Sequence, residues 1–317
     1  MYQISFPNIG IHLKYVPDSF QIFGIQVRLY GLIIALGFLI ALAIISKEAK
    51  RTGQNPELYL DYLLYGIIPS IVCARLYYVI FSWDYYFVPG AGVGETLLKI
   101  INIRQGGLAI YGGLIGGVLV CYLLAKKRKV SFLTMVDTIV LGVPFAQMLG
   151  RWGNFFNREA FGTYTDSLFA MAIPTDYYTQ NGTWTSLCSA GIITDEMQNH
   201  IVDGCIWVHP TFLYESLWSL ALFIFLLIWR KRTSFKGELM SLYVAGYGLG
   251  RFWIEGMRTD PLTIGNTPLR VSQLLAACLV VGGLVFFIVN KIRAGKSVSA
   301  EVGNEGQTGS QTQNIDN

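Results

Sequence analysis

The sequence predicts an all-α membrane protein, a polytopic bundle of seven transmembrane helices with its N-terminus outside and its C-terminus in the cytoplasm. Three observations predict this fold class: the apolar composition, the number of long apolar segments and the placement of the basic residues. Of the 317 residues, 53% are hydrophobic and only 14% are charged, whereas a soluble domain carries about 25% charged residues. The composition therefore disfavours a soluble protein and favours one integral membrane domain over residues 1–293.

Seven apolar segments are long enough to cross the hydrocarbon core of a bilayer, which requires about 20 helical residues. The predicted spans are 28–46, 61–81, 107–125, 132–152, 211–229, 238–256 and 272–290. The fourth and the sixth are weaker because they contain Arg151 and Arg251. Residues 294–317 are rich in Ser, Gly, Gln and Asn, a composition typical of disorder, and are predicted to form a disordered cytoplasmic tail.

The basic residues predict the orientation. Lysines and arginines concentrate at 47–51, 126–129 and 230–236 and after the last span, and such residues favour the cytoplasmic side. The long 154–208 loop is then expected outside, as a periplasmic or extracellular arm or head. Its two cysteines, Cys188 and Cys205, are either a disulfide of an oxidising compartment or two free thiols. No removable signal peptide is expected.

Polar side chains within the spans are the candidate functional residues, because charge inside a bilayer is costly and usually serves a function. On six of the seven predicted spans they fall near the outer end, which predicts a site at the depth of the outer leaflet. These residues are Tyr30, Arg75, Gln105, Gly107, Tyr111, Arg151, Asn154, His209, Glu215, Arg251 and Glu255.

Arg251, Glu255 and Arg258 have the spacing i, i+4, i+7 and so share one helix face. Arg251 and Glu255 are expected to form an ion pair, which serves either as a structural lock between helices or as part of an anion site. With Arg151 the arginines exceed what one glutamate needs, and the guanidinium fork suits phosphate oxygens. We therefore favour a phosphate site. A zinc site is not expected, because the histidines are widely spread and the cysteines form no CxxC pair.

One segment resembles a known family signature. Residues 150–159 read GRWGNFFNRE, which is similar to the pattern GRxGNFxNxE of the prolipoprotein diacylglyceryl transferase family. Weaker matches follow in family order along most of the chain. They are Arg28-Leu29-Tyr30-Gly31, residues 105–113 (QGGLAIYGG), His209-Pro210 with Tyr214-Glu215, and Tyr247-Gly248 with Arg251-Phe252, Glu255 and Arg258. Some family members have histidine where this chain has Tyr111.

The resemblance implies an enzyme of the bacterial plasma membrane that performs the first step of lipoprotein maturation. Such an enzyme moves the diacylglyceryl group of phosphatidylglycerol to the lipobox cysteine thiol of a prolipoprotein, forming a thioether and releasing glycerol phosphate. The expected partners are phosphatidylglycerol, the prolipoprotein signal peptide with its lipobox cysteine, and the lipid bilayer. No cofactor, metal or nucleic acid is expected.

The resemblance also implies residue roles at a site facing the outer leaflet. Arg151 and Arg251 are expected to bind the phosphate and Glu255 to orient Arg251. The expected headgroup pocket is formed by Asn154, Glu159, Tyr30, Gln105 and Gly107. Tyr111, Glu159 and His209 are alternative proton acceptors.

Two other functions compete with a transferase. An anion transporter or channel also uses intramembrane arginines, but it would line a continuous path, and the polar residues here stop at one leaflet. A lipid-binding scaffold would not explain polar residues on six spans.

Overall fold

The computed structural model describes residues 3–87, 90, 92–103, 106–261, 263, 267 and 269–312, with side chains up to residue 296. Gln105 lies outside these residues. Most of the described chain is helical. The helices are α1 Leu29–Arg51, α2 Glu57–Phe81, α3 Trp83–Tyr86, α4 Val93–Ile101, α5 Ile110–Arg128, α6 Phe132–Ile139, α7 Val143–Asn157, α8 Thr175–Gln180, α9 Trp184–Ser189, α10 Asp195–Asn199, α11 Thr211–Trp229, α12 Glu238–Met257 and α13 Val271–Thr312.

Five described helices are long and apolar enough to cross a membrane, and a sixth span results if α6 and α7 are counted together. The five are α1, α2, α5, α11 and the part of α13 from Val271 to Lys296. The remaining predicted span corresponds to α12, a 20-residue helix that carries Glu238, Arg251 and Glu255 and is not among these helices. The helix α13 continues to Thr312, past residue 294 where the disordered tail is predicted to begin.

The fourth predicted span is interrupted. The chain leaves the helix after Ile139, and α7 begins at Val143 with Pro144 in its first turn. Proline has no N–H to continue the hydrogen bonding of a preceding helix, but it is well suited to the first turn of a new one. The continuous helix predicted over 132–152 is therefore two helices.

The expectation of an all-α protein was wrong in one respect, because the described residues also form short strands. Four of them make an antiparallel sheet in the order β2-β1-β5-β6, and β3 and β4 form a separate hairpin. The strands are β1 Ile4–Phe6, β2 Ile11–Leu13, β3 Ser19–Ile22, β4 Ile25–Arg28, β5 Met171–Pro174 and β6 Cys205–Val208. Strands of three or four residues are too short to show an alternating pattern, and β1 pairs with β5 across more than half of the chain.

The 154–208 loop folds around an apolar core together with the N-terminal strands. Ile4, Phe161, Ile173, Met197 and Ile206 are among its buried residues. The core explains why so long a connection has a defined structure, since burying these apolar side chains away from water stabilises the fold. Within this segment Cys188 and Cys205 are free thiols.

The chain divides into two compact units. One comprises Met1–Ala41 and Val140–Asn317, and the other comprises Leu42–Ile139. In the first unit α12 and α13 approach closely at Gly248 and Gly283. An added Cβ on Gly248 would lie 2.7 Å from the Ala276 carbonyl oxygen, and one on Gly283 would lie 2.8 Å from the Ser241 carbonyl oxygen. In the second unit α2 and α5 approach in the same way at Gly112 and Gly116. Small residues at such contacts are typical of packed membrane helices.

Candidate functional site

Glu215, in the second turn of α11, is the centre of a cluster of charged side chains. Its side chain is 7% exposed. Arg151 of α7 forms an ion pair with Oε2 of Glu215 through Nε. Nη1 of Arg251, on α12, lies 2.8 Å from Oε1, and Nη1 of Arg258 lies 3.9 Å from the same oxygen. A single buried carboxylate therefore holds three guanidinium groups together.

Two further carboxylates complete this arginine cluster. Nη2 of Arg251 pairs with Oε2 of Glu255, which confirms the ion pair predicted from the i, i+4 spacing. Asp260 accepts hydrogen bonds from Arg258, from Nε at 2.8 Å and from Nη2 at 2.6 Å. Burial alone would raise the pKa of Asp260, but its hydrogen bonds with Arg258 and the charge of that arginine hold the pKa below its ordinary value.

The predicted excess of positive charge is smaller than the sequence suggested. Among the described residues the three arginines of the cluster meet three carboxylates, those of Glu215, Glu255 and Asp260. Charge balance therefore does not by itself demand an anionic ligand. A guanidinium nevertheless has five N–H donors, more than one carboxylate can accept.

Packing between three helices determines where these side chains meet. The Trp152 indole N–H donates to Ser216 Oγ at 3.2 Å, and that hydroxyl donates to the Met148 carbonyl at 3.2 Å, so α7 and α11 are connected one residue from both Arg151 and Glu215. The Trp218 indole N–H donates to the Gly246 carbonyl of α12 at 2.9 Å. Helical segments hold a site more precisely than loops do.

Tyr30 and Glu159 line a cavity of about 360 Å³ together with Asp18, Arg28, Asn157 and Tyr177. Tyr30 lies at the start of α1 and packs against Gly153 of α7, where an added Cβ would be only 2.6 Å from Tyr30 Cδ2. The glycine of the signature thus leaves room for the tyrosine ring.

The Glu159 carboxyl lies at the rim of this cavity. Its side chain is open to solvent, yet the surrounding protein removes part of its hydration, and this desolvation raises its pKa above the ordinary value. A hydrogen bond from Asn157 Nδ2 at 3.3 Å and the charge of Arg258 act in the opposite direction. A carboxylate with a raised pKa is a better proton acceptor near neutral pH.

His209 lies between β6 and α11, where its backbone pairs with the 162–163 segment. Its backbone N–H donates to the Thr163 carbonyl at 3.0 Å and its carbonyl accepts from Gly162 at 2.9 Å. Its Nδ1 lies 3.3 Å from the Tyr214 hydroxyl. Burial lowers the pKa of His209, which favours the neutral imidazole.

The remaining predicted site residues lie in different places. The Asn154 carbonyl accepts a hydrogen bond from the Glu159 N–H at 3.1 Å and so fixes the position of Glu159 after α7. Tyr111 and Gly107 belong to the other unit, where the Tyr111 ring lies 6.3 Å from that of Tyr77. The structure thus brings Arg151, Arg251 and Glu255 into one cluster. It places Tyr30 and Glu159 in one cavity.

Sequence reasoning gave no role to two residues that the cluster requires. Glu215 lies at the predicted depth and within a family match. Its ion pairs are with arginines of other helices, and the sequence around Glu215 does not indicate such partners. Asp260 follows Arg258 by two residues, and its pairing depends on the chain leaving α12 at that point. Arg158, which also lies in the signature segment, has a structural role: it is 1% exposed and donates to the Val16 carbonyl at 2.7 Å.

Proteins of a known family are similar to this chain over most of its length. The family model described as prolipoprotein diacylglyceryl transferase matches residues 17–289. The chain is also similar to three proteins named phosphatidylglycerol–prolipoprotein diacylglyceryl transferase. The relative from Clostridioides difficile is 38% identical over 89% of this chain and 98% of its own length. The relative from Finegoldia magna is 39% identical over 88% of this chain and 97% of its own length. A relative from Bacillus cereus is 40% identical over 83% of this chain and 87% of its own length.

The matched region runs from before α1 through most of the apolar part of α13. It includes every residue of the arginine cluster and every residue that lines the Tyr30–Glu159 cavity. The length of the matched region and the sequence identity to the relatives show the family. This chain belongs to the prolipoprotein diacylglyceryl transferase family and is a transferase.

Proposed function

We propose that this protein transfers the diacylglyceryl group of phosphatidylglycerol to the lipobox cysteine thiol of a prolipoprotein, in the first step of bacterial lipoprotein maturation. The observation that carries the proposal is the convergence of Arg151, Arg251 and Arg258 on Glu215 in a family whose members are named for this reaction. Arginine side chains held in place beforehand are suited to bind a phosphodiester and to stabilise the charge of the departing phosphate.

The reaction requires one bond to form and one to break. The thiolate sulfur attacks the glyceryl carbon that carries the phosphate ester, and a thioether C–S bond forms. The C–O bond to the phosphate breaks, and its electron pair remains on the oxygen of the departing glycerol phosphate. Arg151 and Arg251 offset the negative charge on that group, and the thiol proton passes to an acceptor on the protein.

Glu215 has an organising role in this proposal. Without substrate, its carboxylate neutralises guanidinium groups that would otherwise repel one another, and it fixes their spacing. A phosphodiester entering the cluster meets donors that are already oriented, so little reorganisation is needed during the reaction. Glu255 orients Arg251 from the other side.

Glu159 is the proton acceptor that we propose among the three candidates. It lies in the same unit as the arginine cluster and at the rim of the Tyr30 cavity, with a raised pKa. His209 is occupied with a neighbouring tyrosine and with the backbone of the 162–163 segment. In this proposal Asn154 and Tyr30 shape the headgroup pocket. For Tyr111 we propose a positioning role, and for Gln105 and Gly107 a headgroup role, on the resemblance alone.

The proposed orientation has seven spans with the site facing the outer leaflet of the plasma membrane. Residues in contact lie on the same side of a membrane, so an even number of spans must separate them. Ser5 pairs with Ala172 across the first four spans, and Gly162 pairs with Arg258 across α11 and α12. Lys291 pairs with Glu238 at 3.1 Å across α12 and α13. These contacts support α12 as a span, and the basic loops support the cytoplasmic C-terminus.

The test uses purified protein in liposomes that contain phosphatidylglycerol, with a synthetic peptide carrying a lipobox cysteine. Mass spectrometry is expected to detect a diacylglyceryl increment on the peptide thiol, absent when the peptide cysteine is replaced by serine. An unmodified cysteine peptide in the presence of folded protein and lipid would overturn the proposal and would favour anion transport, which flux of labelled phosphate into the same liposomes measures.

A further inference from the structure

We infer that Arg75 is a positioning residue for diacylglyceryl transfer, which holds residues 99–102 and 106–107 in place through their backbone carbonyls and does not bind the phosphate itself. The catalytic part of this inference rests on the proposed function. Arg75 lies in α2, one and a half turns before its end, and is 7% exposed. In the bare sequence it is one more intramembrane cation beside Arg151 and Arg251. The structure gives it a different environment.

The Arg75 guanidinium is saturated by backbone carbonyl oxygens. It has five N–H donors in all, and five carbonyls at the end of α4 and in the segment after it accept from them. Nε donates to Ile100 at 2.7 Å, Nη1 to Gly106 at 2.9 Å and Gly107 at 2.8 Å, and Nη2 to Lys99 at 2.8 Å and Asn102 at 3.0 Å. With every donor directed at the protein, Arg75 has none to offer to a phosphate oxygen.

Aromatic rings occupy the space around this guanidinium. Its carbon Cζ lies 5.2 Å from the ring centroid of Tyr86 and 6.0 Å from that of Tyr78. A cation near aromatic faces is stabilised without a carboxylate. The carbonyls and rings together therefore solvate the charge of Arg75 in place of water or a counter-ion.

Two glycines make the arrangement possible. Gly106 and Gly107 adopt φ angles of +88° and +78°, a region that other residues rarely occupy. A Cβ on Gly107 would collide with Nη1 of Arg75. The Gly-Gly pair therefore turns two successive carbonyls toward one guanidinium nitrogen, and no larger residue fits at the second position.

The same turn of α2 also positions the start of α5. The Ala109 N–H donates to the Ala74 carbonyl at 3.1 Å, and Gly112 lies so close to α2 that its Cβ would be 2.8 Å from Ala74 Cα. Tyr111 lies between these two contacts. Arg75 therefore determines the path of the chain into the helical turn that carries Tyr111.

The test combines hydrogen exchange with steady-state kinetics on the full-length protein. Arg75→Lys keeps the charge but concentrates three N–H donors on one nitrogen, which cannot reach five separate carbonyls. We expect faster amide exchange in residues 99–103 and 106–109, with no change in residues 60–72 and 114–125. We also expect kcat for transfer to fall about tenfold or more with KM for phosphatidylglycerol nearly unchanged, because the segment leads into Tyr111, to which the proposed function gives a positioning role, and small displacements of such a residue are costly.

Gly107→Ala tests the same contact from the other partner and keeps the arginine. It is expected to reproduce the faster amide exchange and the lower kcat. The double variant Arg75→Lys/Gly107→Ala is expected to be no slower than the slower single variant, because both remove one shared interaction. Gly94→Ala is the matched control, since an added methyl there meets open space, and it is expected to leave both readouts unchanged.

Two results would overturn the inference. Unchanged exchange in residues 99–103 and 106–109 with a raised KM for phosphatidylglycerol would make Arg75 a lipid ligand. If the losses of kcat in the two single variants multiply in the double variant, Arg75 and Gly107 act independently. Should Arg75→Lys fail to fold, Gly107→Ala decides the question alone. The exchange experiment needs no activity, so a wild-type protein without transferase activity would overturn the proposed function while the positioning role is still tested.

Discussion

At the residue scale, the cluster depends on Glu215, because its carboxylate is the common partner of three arginines from two other helical segments. Removing one partner of a buried ion pair leaves the other charges uncompensated, which costs far more than the pair itself contributes. Here the uncompensated charges would be guanidinium groups that repel one another. Activity and stability are therefore coupled at this residue.

We predict that Glu215→Gln lowers kcat/KM for diacylglyceryl transfer by about 100-fold or more, because the arginines lose the geometry that suits a phosphate. The melting temperature in detergent is expected to fall as well. The control is Glu57→Gln, which removes an exposed carboxylate at the start of α2 and is expected to change neither. Full activity of Glu215→Gln would show that the cluster is organised without this carboxylate.

Glu159 gives a prediction for pH dependence. Its carboxyl accepts a proton only when ionised, and desolvation raises its pKa. Transfer is therefore expected to decline as the pH falls through this raised pKa, at a pH above that of an ordinary glutamate. In Glu159→Gln the rate is expected to be low and this acidic limb to disappear, whereas His209→Asn keeps it. A rate profile of Glu159→Gln with an unchanged acidic limb would exclude Glu159 and leave Tyr111 and His209.

At the scale of the helices and strands, the predicted spans agree well with the helices where apolar runs are long. The first span, predicted as 28–46, is Leu29–Arg51, and the fifth, predicted as 211–229, is Thr211–Trp229. The errors occur where the structure depends on partners distant in sequence or on a local break. In the four-stranded sheet β1 pairs with β5, and β5 with β6, across long separations. The break before α7 follows from Pro144 and the start of a new helix.

The site residues also divide into those that the sequence predicts and those whose role depends on partners distant in sequence. Arg151, Arg251 and Glu255 could be predicted because charge inside an apolar span is visible in the sequence. The role of Glu215 as the common partner of the arginines could not be predicted, because it depends on α7, α11 and α12 meeting at one level. Arg75 looked equivalent to the cluster arginines in sequence, and only its five carbonyl partners distinguish it.

The contact between α12 and α13 gives a prediction for the helices. A methyl group at Gly283 would lie 2.8 Å from the Ser241 carbonyl oxygen and 2.9 Å from the Ala245 nitrogen, so the two backbones would have to separate. Overpacking of this kind costs about 1–3 kcal/mol. Gly283→Ala is therefore expected to lower the melting temperature and to reduce transfer, since α12 carries Arg251.

The neighbouring glycine provides the control for this contact. An added methyl at Gly282 meets nothing within 4 Å, so Gly282→Ala is expected to match the wild type in both measurements. Equal effects of the two substitutions would mean that the helix interior, and not the approach of α12, sets the requirement for glycine.

At the scale of the whole molecule, the proposed seven-span orientation predicts which residues face each compartment. In a variant with its five cysteines replaced, single cysteines are introduced as Ser167→Cys in the 154–208 loop and as Lys127→Cys or Lys236→Cys in basic connections. A membrane-impermeant maleimide applied to intact cells is expected to label only the first. If Lys236→Cys is labelled and Ser167→Cys is protected, the orientation is the reverse of the proposed one. If Ser167→Cys and Lys236→Cys are both labelled, the basic connections do not all lie in the cytoplasm.

We propose that the arginine cluster around Glu215 is the phosphate site for diacylglyceryl transfer. The most direct measurement is the rate of diacylglyceryl transfer to a lipobox peptide by Arg151→Ala and Arg251→Ala in phosphatidylglycerol liposomes, beside Arg128→Ala, which removes an exposed arginine paired with Asp61. The first two variants are expected to insert and fold but to lose transfer, by at least about 100-fold, and the third is expected to retain it. Full activity of either cluster variant would show that the cluster is not the phosphate site.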